Sequence, residues 1–161
     1  MAIDLCINNY ATIPGTVFTE ALITAIRTMT GFEVIPCDVD SDTPIEGQEI
    51  VGAMVLAGDK TLLMMLTASK DTAALLVTYM TGTEIESLTD SELADGITEF
   101  VNIVGGSARA ALQESNYRFA ITVPFTVTGQ ELKVIVKKSA RSYFVSFNSN
   151  EFIMNFKIVE L

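Results

Sequence analysis

The sequence contains no histidine and no tryptophan. Without histidine, Ser-His-Asp and Cys-His nucleophilic catalysis are excluded, and so are most zinc sites. Cysteine is almost as scarce. Cys6 and Cys37 stand far apart with no CxxC spacing, which reads as two reduced thiols of a cytoplasmic protein. Positive charge is also in short supply. Ten Lys and Arg against twenty Asp and Glu leave a net charge of -10. That balance argues against nucleic acid and anionic membrane surfaces as partners. The longest apolar region, Ile50 to Leu66, is broken by Gly58-Asp59-Lys60 and is not a membrane span. The opening Met1-Ala2-Ile3-Asp4 lacks the basic region of a secretory signal.

What is present is enough for a core. Hydrophobic residues make up 49% of 161 residues, which excludes a disordered chain and predicts a single domain over residues 1–161.

The most informative stretch runs from Leu88 to Gln113. At about 100° per residue, Leu93, Ile97, Phe100, Val101, Val104, Ala108, Ala111 and Leu112 gather on one side of a helix. Glu92, Asp95, Glu99, Asn102, Gly106 and Arg109 gather on the other. Thr89-Asp90-Ser91-Glu92 reads as a capping box, with Thr89 as N-cap and Glu92 reaching back to it. Glu99 and Asn102, three residues apart, are neighbours on the helix surface. Asn102 sits mid-helix, where its side chain competes with the backbone for hydrogen bonds. Gly96, Gly105 and Gly106 each cost about 1 kcal/mol relative to Ala in a helix interior. Gly106 leaves the face beside Asn102 flat, so a second protein could approach closely. The same features also fit an ordinary solvated face.

Around this helix the chain reads as α+β. Pro14 to Thr30 is a helix stopped by Gly31, with Val17, Phe18, Ala21, Leu22, Ala25, Ile26 and Met29 inward. Phe32 to Cys37 is a short strand. Glu49 to Ala57 and Thr61 to Thr67 form a hairpin turned by Gly58-Asp59-Lys60. Ser69 begins a helix that ends at Gly82. Phe119 to Thr128, Glu131 to Lys138, Ser142 to Asn148 and Glu151 to Glu160 read as strands. Thr128-Gly129-Gln130 and Asn148-Ser149-Asn150 read as turns. Glu151 to Glu160 reads as an edge strand available to a second copy. A helix, an extended segment ending in proline (Phe32 to Pro36, then Phe119 to Pro124) and a hairpin occur in each half. This predicts duplicated α-β-β-β units, a mainly antiparallel sheet and long helices packed on one face.

The loop Asp38-Val39-Asp40-Ser41-Asp42 invites a calcium reading, with Glu49 at the twelfth position from Asp38. Thr43 stands where that loop needs glycine, Pro44 follows, and a strand precedes it. A solvated acidic loop is the better reading, and no metal site is expected. A small-molecule phosphate site is also poorly supported. Gly105-Gly106 lies inside a helix rather than after a strand.

The run Glu99-Phe100-Val101-Asn102-Ile103-Val104-Gly105-Gly106 resembles the E-x-x-N-x-x-x-G signature of the CheC/CheX/FliY phosphatases of bacterial chemotaxis. Asp95, one turn earlier, and Pro124, on the following strand, resemble parts of that family's longer pattern. Family members of the CheC type carry two such motifs. Here Glu20 on the first helix is followed three residues on by Ile23, so one site is visible, as in CheX. Gly105 and Ser107 depart modestly from the pattern, and the first ten or so residues look like an extension.

The resemblance implies a CheC-like fold and a hydrolase of the aspartyl phosphate on a CheY-like response regulator. It implies that Asn102 orients the attacking water and that Glu99 engages the receiver's lysine. Gly106, Glu92, Asp95 and Arg109 would form the docking surface. No cofactor is expected on this chain, the Mg²⁺ being the receiver's, and a homodimer is implied. The competing reading is a non-catalytic receiver-binding or scaffold module built on the same acidic helix.

Overall fold

The computed structural model describes residues 13–161. Cys6 and the N-terminal segment lie outside them. Three helices, α1 (Gly15–Thr30), α2 (Lys70–Thr81) and α3 (Asp90–Ala111), accompany seven strands. These are β1 (Ile35–Asp38), β2 (Ile45–Gly58), β3 (Leu62–Ala68), β4 (Phe119–Ile121), β5 (Phe125–Val134), β6 (Ser142–Asn148) and β7 (Ile153–Glu160). All strand pairs are antiparallel, in one sheet ordered β1-β6-β7-β3-β2-β4, with β5 also on β2.

The duplicated unit is visible in that order, and its halves are interlaced. The hairpins β2–β3 and β6–β7 occupy the middle, joined through β3 and β7. The first strand of each half leaves its own hairpin and pairs with the other's: β1 lies on β6, and β4 with β5 lies on β2. The strand order therefore has an approximate two-fold symmetry about the β3–β7 pair.

All three helices cover one face. Phe18, Leu22 and Ile26 of α1, Leu76 of α2, and Ile97, Phe100 and Val104 of α3 are fully or almost fully buried. They pack with Met54, Leu66, Met154, Phe156 and Ile158 of the sheet. Burying a side chain of this size stabilises by roughly 1.5–3 kcal/mol, so this layer is the main core. The other face carries a smaller cluster. Val51, Ala53, Met65 and Val159 are covered in part by Leu132, Val134, Val136 and Ala140, which belong to the end of β5 and the connection that returns to β6.

Helix ends are set as their residues predict. Ser69 caps α2 by accepting from the Thr72 N–H at 3.1 Å, and Gly82 closes it in a left-handed conformation, φ 75°. Ala111, expected on the inward stripe, is exposed at the last residue of α3, while Ala108 and Leu112 on either side of it are buried.

Four further expectations are corrected. Phe119 to Thr128 is not one strand but is broken at 122–124 into β4 and the start of β5. Thr128-Gly129-Gln130 is not a hairpin turn. β5 runs through it to Val134, and Thr128 and Leu132 pair with Ile50 and Gln48 on the same partner strand. The surplus residues bulge outward, with Glu131 at φ 52°. The glycine signal thus marks an irregular strand. No separate strand spans Glu131 to Lys138, since the chain leaves the sheet after Val134. Finally, β7 is interior, flanked by β3 and β6. The sheet's edges are β1 and the β4–β5 line.

The acidic loop between β1 and β2 crosses the less covered face of the sheet. There the Lys157 ammonium donates to the carbonyls of Ser41 at 2.7 Å and Thr43 at 3.3 Å. It also lies 5.1 Å from the Phe144 ring centre. The cation that this loop holds is a side chain of the same protein. Burial lowers the Lys157 pKa, while Asp42 and Asp40 act in the opposite direction.

Candidate active site

Helix α3 begins with the predicted cap. The Thr89 N–H donates to Glu92 Oε2 at 2.7 Å and the Glu92 N–H donates to Thr89 Oγ1 at 3.2 Å. These bonds hold the Glu92 carboxyl below the usual carboxylate range, the backbone donor being the larger cause. Glu92 is therefore exposed but committed to the helix start.

Three glycine contacts let α3 sit low in the fold. A Cβ on Gly52 of β2 would lie 2.8 Å from Ile97 Cγ2 and 2.9 Å from Val101 Cγ2. One on Gly105 would lie 2.8 Å from Met54 Sδ, and one on Gly96 would collide with Val77 of α2. The glycines at 96 and 105, which look wasteful in the sequence, are close-packing positions. Gly106 differs: a Cβ there would meet nothing within 4 Å.

The opposite side of α3 is a ridge. Asp95, Glu99 and Asn102 are exposed and Gly106 is half-buried, which at this spacing places them in one strip along the helix. Among the described residues, neither the Glu99 carboxylate nor the Asn102 carboxamide is engaged in a hydrogen bond or ion pair. Arg109 is exposed in the last turn, displaced along the axis from the pair. Pro124 is half-buried between β4 and β5, at the side of the sheet where α3 packs against these strands.

The ridge is not a pocket. One concavity lies at the far end of α3, between Gly58–Lys60 and the segment 113–120, and a smaller one lies near its N-terminus, beside Glu49, Lys70 and Asp90. Neither includes Glu99 or Asn102. Among the described residues no three His, Cys, Asp or Glu converge to hold a metal, and the Asp38-to-Asp42 loop is no exception. No helix of the described chain is long and apolar enough to cross a membrane.

Residues 50–148 match the family described as chemotaxis phosphatase CheX. The chain belongs to that family. The matched segment contains the whole of α3 and Pro124, and so every residue of the motif. No curated protein matches the chain. Solved structures show the same fold. The chemotaxis protein CheX from Vibrio vulnificus is 22% identical, covers 94% of this chain and 99% of its own, and superposes with a TM-score of 0.79. CheX from Desulfovibrio desulfuricans is 22% identical over 91% of this chain and 98% of its own, with a TM-score of 0.76. The CheX of the CheX-CheY-BeF3-Mg²⁺ complex from Borrelia burgdorferi is 20% identical over 89% and 95%, with a TM-score of 0.73.

Two residues next to the CheX motif escaped the sequence reading. Thr98 Oγ1 lies 2.5 Å from Thr126 Oγ1 of β5 and donates to the Ala94 carbonyl at 2.8 Å. A threonine four residues before Asn102 was a faint signal. Nothing local pointed to Thr126 as its partner.

Proposed function

We propose that the chain hydrolyses the aspartyl phosphate of a phosphorylated CheY-like response regulator. The observation that carries this reading is the convex setting of Glu99 and Asn102. Small-molecule sites are concave. A pair of unengaged polar groups on a helix ridge suits a reacting centre that arrives inside a partner's own cleft.

The chemistry asked of the ridge is modest. An acyl phosphate is already activated, and the receiver supplies Mg²⁺ and a lysine. What is missing is a water in line with the phosphorus. The Asn102 carboxamide both donates and accepts hydrogen bonds, so it can hold such a water in attacking geometry. Positioning and electrostatics supply most of the catalysis in phosphoryl transfer. Glu99 pairs with the receiver's lysine and keeps the partner in register. Gly106 admits the receiver surface at one end of the strip, Asp95 lies one turn before Glu99 at the other, and Glu92 and Arg109 stand at the two ends of the rim. The Borrelia burgdorferi relative, solved together with CheY, supports this partner class.

The deciding experiment is phosphate release from a phosphorylated receiver of the same organism, with wild type and Asn102→Ala in parallel. Acceleration that vanishes in the variant supports the phosphatase. Binding without acceleration by either protein favours the scaffold reading. A homodimer is part of the proposal. β5 is bonded on one side only, to β2, and exposes Phe125 and Val127, features of an edge that a second copy can cover. Sedimentation of wild type and Val127→Lys checks this, a monomeric wild type counting against it.

A further inference from the structure

We infer that the hydroxyl pair Thr98–Thr126 is the positioning element of this site, fixing the rotation of α3 so that Asn102 meets the incoming phosphoryl group in line. The inference rests on the phosphatase reading above. Thr98 is one helical turn before Asn102, on the same side of the helix. Its hydroxyl lies 2.5 Å from that of Thr126 and donates to the Ala94 carbonyl at 2.8 Å. Thr126 reaches the same carbonyl at 3.4 Å. One backbone carbonyl and two hydroxyls thus tie helix to strand.

The place of this tie is specific. Thr126 pairs directly with Gly52 across β5 and β2, and Gly52 is the glycine on which Ile97 and Val101 rest. The vertical seat of the helix and its lateral bond fall on the same turn, the one that carries Glu99. Just upstream, Thr122 Oγ1 donates to the Val55 carbonyl at 2.8 Å, so the strand that presents Thr126 is itself anchored beside Pro124.

Packing on Gly52 restricts the helix rotation, but the apolar driving force itself is non-directional. A hydrogen bond is directional. A side-chain tip lies roughly 5–6 Å from a helix axis. Turning α3 by about 10° therefore displaces the Asn102 carboxamide by about 1 Å. A displacement of that size costs up to about a hundredfold in a reaction that depends on placement. A valine at Thr126 would fill the same volume and leave the rotation unfixed.

The test measures steady-state dephosphorylation of a phosphorylated receiver by wild type, Thr126→Val, Thr126→Ser and Thr98→Val. Amide hydrogen exchange of residues 99–106 is followed in the free proteins. The expected result for Thr126→Val is a kcat lower by about tenfold with KM within about twofold. Thr126→Ser should restore it. The double Thr98→Val/Thr126→Val variant should be no worse than either single variant, since both remove one bond. Exchange should rise in Thr126→Val and not in Thr126→Ser. A Thr126→Val enzyme with wild-type kcat overturns the inference, and so does a loss that Thr126→Ser shares. If wild type itself does not accelerate phosphate release, the phosphatase reading has failed. Equal exchange in Thr126→Val and Thr126→Ser then overturns the tie on its own terms.

Discussion

Met65 and Lys157 stand directly opposite each other on β3 and β7, at the centre of the sheet and on the face away from the helices. Met65 belongs to the cluster that the end of β5 and the segment linking it to β6 cover in part. Lys157 is covered by the acidic loop that links β1 to β2. Equivalent connections in the two halves cross the same face, one held by hydrophobic burial and the other by a buried ammonium. The halves share an architecture and differ in how they are stapled.

Lys157→Met should loosen the acidic loop. It leaves the carbonyls of Ser41 and Thr43 without their donor, which costs about 1–3 kcal/mol for a buried group. The pH dependence has a definite sign. Burial lowers the pKa of Lys157 in the folded state, so the folded protein releases this proton before the unfolded chain does. Stability relative to Lys157→Met should then increase as pH rises from the lowered value toward the ordinary 10.5. Urea unfolding of both proteins across the alkaline range measures this, and a constant difference would count against it.

Asn102→Ala should reduce dephosphorylation by about a hundredfold or more while leaving receiver binding within a few-fold, since the carboxamide acts on the water and not on the partner. Phosphate release and binding, measured on the same preparation, separate the two effects.

Glu99→Gln keeps the shape and removes the charge. Binding to the phosphorylated receiver should weaken by about fivefold to tenfold at low ionic strength. The salt dependence of the wild-type affinity should flatten in the variant, because an exposed ion pair is screened within about 10 Å at 0.1 M salt. Affinities at two salt concentrations are sufficient.

Two glycine substitutions should behave oppositely. A Cβ at Gly106 meets nothing within 4 Å, so in Gly106→Leu thermal stability should be kept or raised by helix propensity while dephosphorylation falls by more than about tenfold through blocked approach. Gly52→Ala presses on Ile97 and Val101 and should destabilise by about 1–3 kcal/mol through overpacking. Melting curves and activity measured together distinguish the two.

The sequence makes much of α3 legible, because its signals are local. The Thr89–Glu92 cap, the inward stripe from Leu93 to Ala108 and the exposed strip from Asp95 to Gly106 all lie within a few turns of one another. The two hairpins are legible for the same reason, each closed by a short turn. Misreadings occur where the deciding partner is remote. Gly129 looks like a turn residue until β2 is seen running beside it. Glu151 to Glu160 looks like a free edge until β3 and β6 occupy its two sides. The acidic loop looks empty until Lys157 arrives from more than a hundred residues away. Thr126 carries no mark of its role, since a bridging threonine and a simple strand threonine are the same letter.

The interlaced order of the strands also constrains how such a chain can be made. As synthesis proceeds, β2 and β3 can close on each other early, but every neighbour they then need lies downstream. β2 waits for β4 and β5. β3 waits for β7, whose last paired residue is Glu160. Contacts so distant in sequence slow folding and leave strand edges bare in the meantime. The β3–β7 pair, at the centre of the finished sheet, is therefore among the last to form.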